Sequence, residues 1–226
     1  MVIDTGEAAP FLTLEHAGGA VTPIDLPGFR AVSVSGGSFA ISDEGKVIVA
    51  VARRIGTRVR SLFAFESRNS AAVRDLTPFL AEFEPHEIET LSLAGHGLVA
   101  AVGSRERFQV LNTLDGATVF RGVGRFPRVS PDGVRLGFIT DERLHVVNLE
   151  PRANITLLPG TKVMGIGGWS PDGKFLIGGA WTRLLAMEKR KVIIDAETGD
   201  YAQLGTLSEG DYGVYFRWAS TMLMPQ

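Results

Sequence analysis

The chain has 226 residues, 23 basic and 25 acidic side chains, and a formal net charge of −2. Hydrophobic residues make up 45%, enough to bury a real core, which excludes intrinsic disorder. The charge balance excludes a globally basic nucleic-acid binder but not a charged face, and the absence of Cys removes disulfides, thiolate zinc sites and cysteine nucleophiles.

No apolar run approaches the ~20 residues of a membrane span. Met1 to Pro10 carries Asp4 and Glu7 and no basic n-region, so it does not read as a signal peptide. The expected location is cytoplasmic as written, and periplasmic if a presequence has been removed. The first strands expected are Phe11–Glu15 and Ala20–Leu26. Ser42-Asp43-Glu44-Gly45 then introduces Lys46–Ala52, Arg58–Glu66 and Ala72–Leu76. The best helix candidate, Ala71–Phe83, is interrupted by Pro78. Ala94-Gly95-His96-Gly97 introduces Leu98–Gly103, Phe108–Thr113 and Thr118–Arg121, with Leu114-Asp115-Gly116 as a turn. Ser130-Pro131-Asp132-Gly133 leads into Val134–Ile139 and Arg143–Leu149. Ser170-Pro171-Asp172-Gly173 leads into Lys174–Gly179 and Arg190–Asp195, followed by the turn Glu197-Thr198-Gly199. Gly213–Ser220 and Met222–Met224 are the last strands expected.

The Ser-Pro-Asp-Gly tetrapeptide has the chemistry of a tight turn. Pro pre-sets φ, Asp bonds the local backbone and Gly takes positive φ. The turn glycines at 45, 97, 133 and 173 lie 52, 36 and 40 residues apart. Four short strands per ~40–45 residues is the blade of a β-propeller. The expected fold is therefore all-β: a single domain over 1–226, a five-bladed β-propeller of four-stranded antiparallel blades. The expected blades are 29–78, 86–124, 125–160, 163–207, and 211–226 plus 10–28. The last is shared between the N- and C-terminal strands, which closes the ring and removes open sheet edges.

Trp169-Ser-Pro-Asp-Gly-Lys-Phe-Leu-Ile-Gly-Gly and Val129-Ser-Pro-Asp-Gly-Val-Arg-Leu-Gly-Phe resemble the repeats of TolB-type propellers. Similar repeats occur in the propeller domains of prolyl oligopeptidase relatives. Two copies match well, two are degenerate, and together they cover roughly residues 38–220. The resemblance implies the propeller fold strongly and function weakly, because propellers host many tasks. The Gly-His and Trp-Asp signature of WD repeats is missing. Nothing corresponds to the extra N-terminal domain of TolB, and there is no room for the separate hydrolase domain of the peptidases.

Catalytic chemistry is thin. His16, His86, His96 and His145 fall in different blades without metal-ligand spacing. No Gly-x-Ser-x-Gly elbow is present. Gly165-x-Gly167-Gly168 leads into a strand rather than a helix, so it lacks the geometry of a dinucleotide loop. Asn154-Ile155-Thr156 is a formal glycosylation acceptor that means nothing in a cytosolic or bacterial chain. Acids on the expected innermost strands are Glu87, Glu89 and Asp211, and three of those strands carry none, which disfavours a glycosidase funnel and leaves it open. Trp169 and Trp218 occupy matching positions and are expected in blade cores.

The distinctive signal is where charge falls. In a blade of strands A to D, the B–C and D–A loops share one face. The expected B–C connections carry Arg53, Arg54, Arg58, Arg60, Arg105, Arg107, Arg143, Arg183, Lys189, Arg190 and Lys191. Arg30, Arg121, Arg125, Arg128 and Lys162 add to that face from D–A loops. The opposite turns hold Asp43, Glu44, Asp115, Asp132, Asp172, Glu197 and Asp200. A basic face steers anionic partners; alternatively these charges only solvate the rim. Trp181, beside Leu184, Leu185 and Met187 in a long connection, reads as an interface anchor or as a hairpin packed on its neighbour.

The expectation is a non-enzymatic binding module, monomeric and without a cofactor or metal. It presents a loop face to a protein partner with an acidic surface. Arg53, Arg54, Arg58, Arg105, Arg107, Arg143, Trp181, Arg183 and Arg190 are the binding residues expected. The alternative is a small-ligand or glycan-binding protein, or a glycosidase-like enzyme, using the central funnel. Nucleic acid is disfavoured because exposed aromatics are not interleaved with the basic loops.

Overall fold

The structure is a computed structural model. It describes residues 12–15, 21–24, 26–31, 39–42, 45–67, 69–81, 83–94, 97, 99–149, 156–157, 162–181 and 189–206. The expected strands of 211–226, Trp218, Arg183 and most of the 181–191 connection lie outside the described residues.

The described elements are strands and two short 3-10 turns. In order they are β1 (Leu12–Glu15), β2 (Val21–Ile24), β3 (Phe29–Ala31), β4 (Phe39–Ile41), β5 (Val47–Arg54), β6 (Arg60–Glu66) and β7 (Asn69–Asp75). The 3-10 turns Thr77–Phe79 and Pro85–Glu87 follow. Then come β8 (Thr90–Leu93), β9 (Val99–Gly103), β10 (Arg107–Asn112), β11 (Thr118–Val123), β12 (Arg125–Val129), β13 (Arg135–Thr140), β14 (Arg143–Asn148) and β15 (Thr156–Leu157). The last are β16 (Lys162–Trp169), β17 (Phe175–Trp181), β18 (Lys189–Asp195) and β19 (Tyr201–Thr206). No helix among the described residues is long and apolar enough to cross a membrane.

Three sheets are four-stranded antiparallel meanders: β8–β11, β12–β15 and β16–β19. In a fourth, β3 and β4 both pair with β5, which continues to β6 and β7. β1 and β2 form a separate pair. The chain divides into two compact units, 1–122 and 123–226.

In the first unit, Ile48 to Ala52 of β5 are completely buried. A continuous apolar run, rather than alternation, marks a strand covered on both faces. One face, with Val49, Val51, Leu62 and Ala64, packs on Phe83, Ile88, Leu91, Ala100, Val102 and Leu111. The other, with Ile48, Ala50, Ala52, Phe63 and Phe65, packs on Ile24 and Leu26 beside β2. In the second unit, Ile139, Leu144 and Val146 meet Val163, Ile166, Trp169, Leu176, Val192 and Ile194. Sheets stacked face to face in this way bury large aliphatics on both sides. Truncating Leu62 or Leu176 to Ala would cost about 2–5 kcal/mol.

One turn is repeated four times. The amide of Gly45, Gly97, Gly133 and Gly173 donates to the carbonyl three residues earlier, of Ser42, Ala94, Ser130 and Ser170, at 2.7 to 3.0 Å. Each glycine has φ between +67° and +77°. The residue opening each turn then pairs with a residue five positions on: Val47, Val99, Arg135 and Phe175. In three copies a buried Ser Oγ also accepts from the amide at that fifth position. In the two Ser-Pro-Asp-Gly copies that hydroxyl donates to Asp132 or Asp172, at 2.5 and 2.6 Å. A second turn recurs at the β10–β11 and β18–β19 hairpins, where the amides of Gly116 and Gly199 bond the carbonyls of Asn112 and Asp195.

The link from β7 to β8 is organised by a polar side chain inside a strand. Gln109 is fully buried in β10. Its amide nitrogen donates to the Phe79 carbonyl and to Thr118 Oγ1, both at 2.8 Å, and its oxygen accepts from the Ala81 amide at 3.1 Å. Pro78 stops β7 and sits in the first 3-10 turn. Glu84 and Glu87 form a capping box around the second.

Candidate functional site

The β5–β6 hairpin places its arginines by register. Gly56, at φ +82°, lies in the turn between the two strands, and Arg53 pairs across it with Arg60. On the other side of β5, Arg53 pairs with Arg30 of β3. Directly paired residues share a sheet face. Three arginines therefore stand side by side across three strands, roughly 10 Å end to end. They continue the face that carries Val49, Val51 and Leu62. Like charges in register are destabilising, and among the described residues no ion pair offsets these three.

Next to this row is a cleft of about 430 Å³ lined by Arg58, Val59, Arg60, Glu84, Pro85 and His86. The β5–β6 connection forms one wall and the second 3-10 turn the other. Here a B–C and a D–A connection do share a face, as the chain order of a blade requires. Val59, on its lining, is 70% exposed.

The other expected contact residues divide. Arg54 leaves the row: alternation along β5 turns it to the opposite face, where its guanidinium lies 5.8 Å from the Phe29 ring centroid. Adjacent residues of a strand point to opposite faces, so the two arginines cannot act as one pair. Arg105 is exposed and its Nε lies 3.2 Å from Glu89 Oε1, which partly neutralises it. Arg107 is exposed at the start of β10, beside a turn closed by the Ser104 amide on its carbonyl. Arg143 is exposed beyond the two-residue turn Asp141-Glu142. Arg190 lies inside β18, opposite Ala180, and its Nη1 donates to Gln203 Oε1 at 2.9 Å. It is half-buried sheet structure rather than a loop residue. Trp181 ends β17, paired with Lys162 and Lys189. Arg183 is outside the described residues.

Two of the acids expected on the opposite turns, Asp172 and Asp132, have structural partners. The Ser170 hydroxyl and the Lys174 amide hold the Asp172 carboxyl below its usual value. Partial burial pushes Asp132 up, but the Ser130 hydroxyl, the Val134 amide and Arg135 outweigh it and leave the carboxyl lowered. The Thr198 and Glu197 amides do the same for Asp195. Burial lowers His145, whose ring stacks on Phe138 with centroids 5.2 Å apart. No group of three His, Asp or Glu placed to hold a metal occurs among the described residues. Trp169 is buried in the sheet core, as expected.

No family model matches the chain. No curated protein matches it either. Solved structures do. TolB from Acinetobacter baumannii aligns with a TM-score of 0.54 at 16% identity, over 76% of this chain and 44% of that one. A putative TolB from Agrobacterium tumefaciens aligns at 0.59 and 13%, over 84% and 70%. The WD40 repeats of RRP9 align at 0.53 and 10%, over 79% and 55%. The fold is that of a TolB-like and WD40-like β-propeller. This chain spans less than half the length of the Acinetobacter TolB chain. Peptidase and lyase propellers match too, so the propeller likeness carries the fold and no activity.

Proposed function

We propose that the chain is a non-enzymatic binding module: a five-bladed propeller, closed by a blade shared between its N- and C-terminal segments, that docks a protein partner. The docking face is the B–C and D–A loop face. Arg53, Arg58, Arg107 and Arg143 contribute charge there. Trp181 and Arg183 contribute from the long connection; Arg54, set on Phe29, and Arg190, bonded to Gln203 within its sheet, are left out of it, and Arg105 is partly neutralised by Glu89. The observation that carries this reading is the Arg30, Arg53 and Arg60 row, which opens on a cleft and makes no ion pair among the described residues. A row of like charges costs stability unless something outside the chain meets it. Propeller neighbours built of TolB and WD40 repeats support the module reading at the level of fold.

Site-directed photo-cross-linking tests it. A cross-linker at position 59, on the loop face, should capture a defined partner from cells. The same group at position 114, on the exposed β10–β11 turn, should not. Equal labelling from both positions, or none from either, would remove the docking face.

A further inference from the structure

The arginine row and its neighbouring cleft differ in chemistry, and together they narrow what docks. The row offers three guanidiniums across roughly 10 Å. Guanidinium is the side chain best matched to carboxylate or phosphate. The cleft adds Arg58 and His86, but it also contains Glu84. Glu84 repels a phosphodiester backbone, whereas its oxygens can accept amide N–H groups. Its own amide is already committed to Glu87 Oε2 at 2.7 Å. Val59 supplies exposed aliphatic surface to the lining. Among the described residues the lining contains no Phe, Tyr or Trp on which bases could stack. Alternate side chains of an extended peptide stand roughly 7 Å apart, so two acids on one side of such a segment fit within the row.

We propose that the Arg30–Arg53–Arg60 row and the Arg58/His86 cleft are the seat of an acidic peptide segment: extended, with Asp or Glu at alternate positions and an aliphatic side chain against Val59. This deepens the docking reading above and rests on it. The acidic side chains meet the row, and the peptide amides reach Glu84. The like-charge strain of the free row is relieved on binding.

Fluorescence anisotropy with a labelled Asp/Glu peptide carrying a central Leu tests this directly. Arg53→Glu should weaken binding about tenfold or more, the loss of one charge-assisted pair. Arg58→Glu, on the exposed connection, should weaken it similarly. Lys174→Glu makes the same change in net charge on a turn of the second unit and should leave binding unaltered. Arg53→Glu should also melt no lower than the parent, because it places an acid between Arg30 and Arg60; misfolding is thereby separated from lost binding.

Failure of the peptide to bind overturns the proposal. So does equal weakening by Lys174→Glu, which would mean diffuse attraction only, or tighter binding of an oligothymidylate, which would make the face a nucleic-acid surface. If a partner still cross-links at position 59 in the Arg53→Glu variant, the docking face stands and the acidic seat falls. If the peptide binds at the row but position 59 captures nothing in cells, the reverse holds.

Discussion

The indole N–H of Trp169 donates to the backbone carbonyl of Arg128 at 2.8 Å, joining β16 to β12. The Arg135 guanidinium lies 5.3 Å from the ring centroid and also donates to the Gly173 carbonyl. One aromatic side chain thus ties two sheets of the second unit through a hydrogen bond and a cation–π contact. Trp169→Phe keeps most of the packing but removes this bond to the Arg128 carbonyl. The expected cost is about 0.5–1.5 kcal/mol, read as a lower denaturation midpoint. An unchanged midpoint would show the bond to be incidental.

Gln109 predicts a local effect. Gln109→Leu fills the space but leaves the Phe79 carbonyl and Ala81 amide without the partner they have now. Hydrogen exchange should rise in residues 77–87 more than in β9 and β10, with a stability loss of roughly 2 kcal/mol. Uniform acceleration across the first unit would instead mean a general core defect.

The repeated turn glycines should not be equally replaceable. Gly45 and Gly97 share positive φ, but a Cβ at Gly45 meets nothing within 4 Å. At Gly97 it would come 2.3 Å from Val47 Cβ. Gly45→Ala should cost about 1–2 kcal/mol for backbone strain alone. Gly97→Ala adds a steric clash and should melt several degrees lower still. Equal melting temperatures for the two variants would refute this contact.

The β13–β14 turn has the opposite fault. Asp141 and Glu142 adopt φ of 51° and 60°, the left-handed pair that a two-residue hairpin turn requires and that Asn-Gly satisfies best. Glu142→Gly should stabilise by about 0.5–1 kcal/mol by removing that strain. Chemical denaturation would detect it, and a loss of stability would mean that the Glu142 side chain is more valuable than its backbone is strained.

Acid should act through the Ser-Pro-Asp-Gly turns. Asp132 and Asp172 have lowered carboxyl values in the folded chain. The unfolded chain takes up protons first, near pH 4. Their contribution is therefore present above that value and disappears as pH falls through the lower folded values. Melting temperature followed from neutral pH to acid should fall less steeply in an Asp132→Asn/Asp172→Asn variant. Parallel curves would exclude these two groups as acid sensors.

Local chemistry is the part of this molecule that the sequence displays openly. The Ser-Pro-Asp-Gly turns are legible because every bond in them lies within six residues, and the propeller fold follows from their spacing. The pairing of Arg53 with Arg60 is legible too, since both sit at equal distance from the turn centred on Gly56 and Thr57. Arg30 is not, because it joins the row through β3, which reaches β5 from 23 residues away. The apolar runs alone end the expected strands at Ala52 and start them again at Arg190, which leaves Arg54 in a connection and Arg190 at its edge. The strands run further, and pleating then sends Arg54 to Phe29 while Arg190 meets Gln203 within its sheet. Gln109 gives no sign of its task in a strand of Phe108, Val110 and Leu111, since its partner at Phe79 is 30 residues distant.

The four copies of the Ser/Ala-to-Gly turn have a consequence for how the chain assembles. Each closes with atoms from a single short stretch, so each A–B hairpin can nucleate without waiting for distant parts of the chain. Contacts such as Trp169 to Arg128, or Gln109 to Phe79, come from far apart and form only when sheets meet. Damage to a turn should therefore slow folding, whereas damage to those long-range ties should chiefly hasten unfolding. The repeats act as starting points, and the single-copy residues between them act as locks.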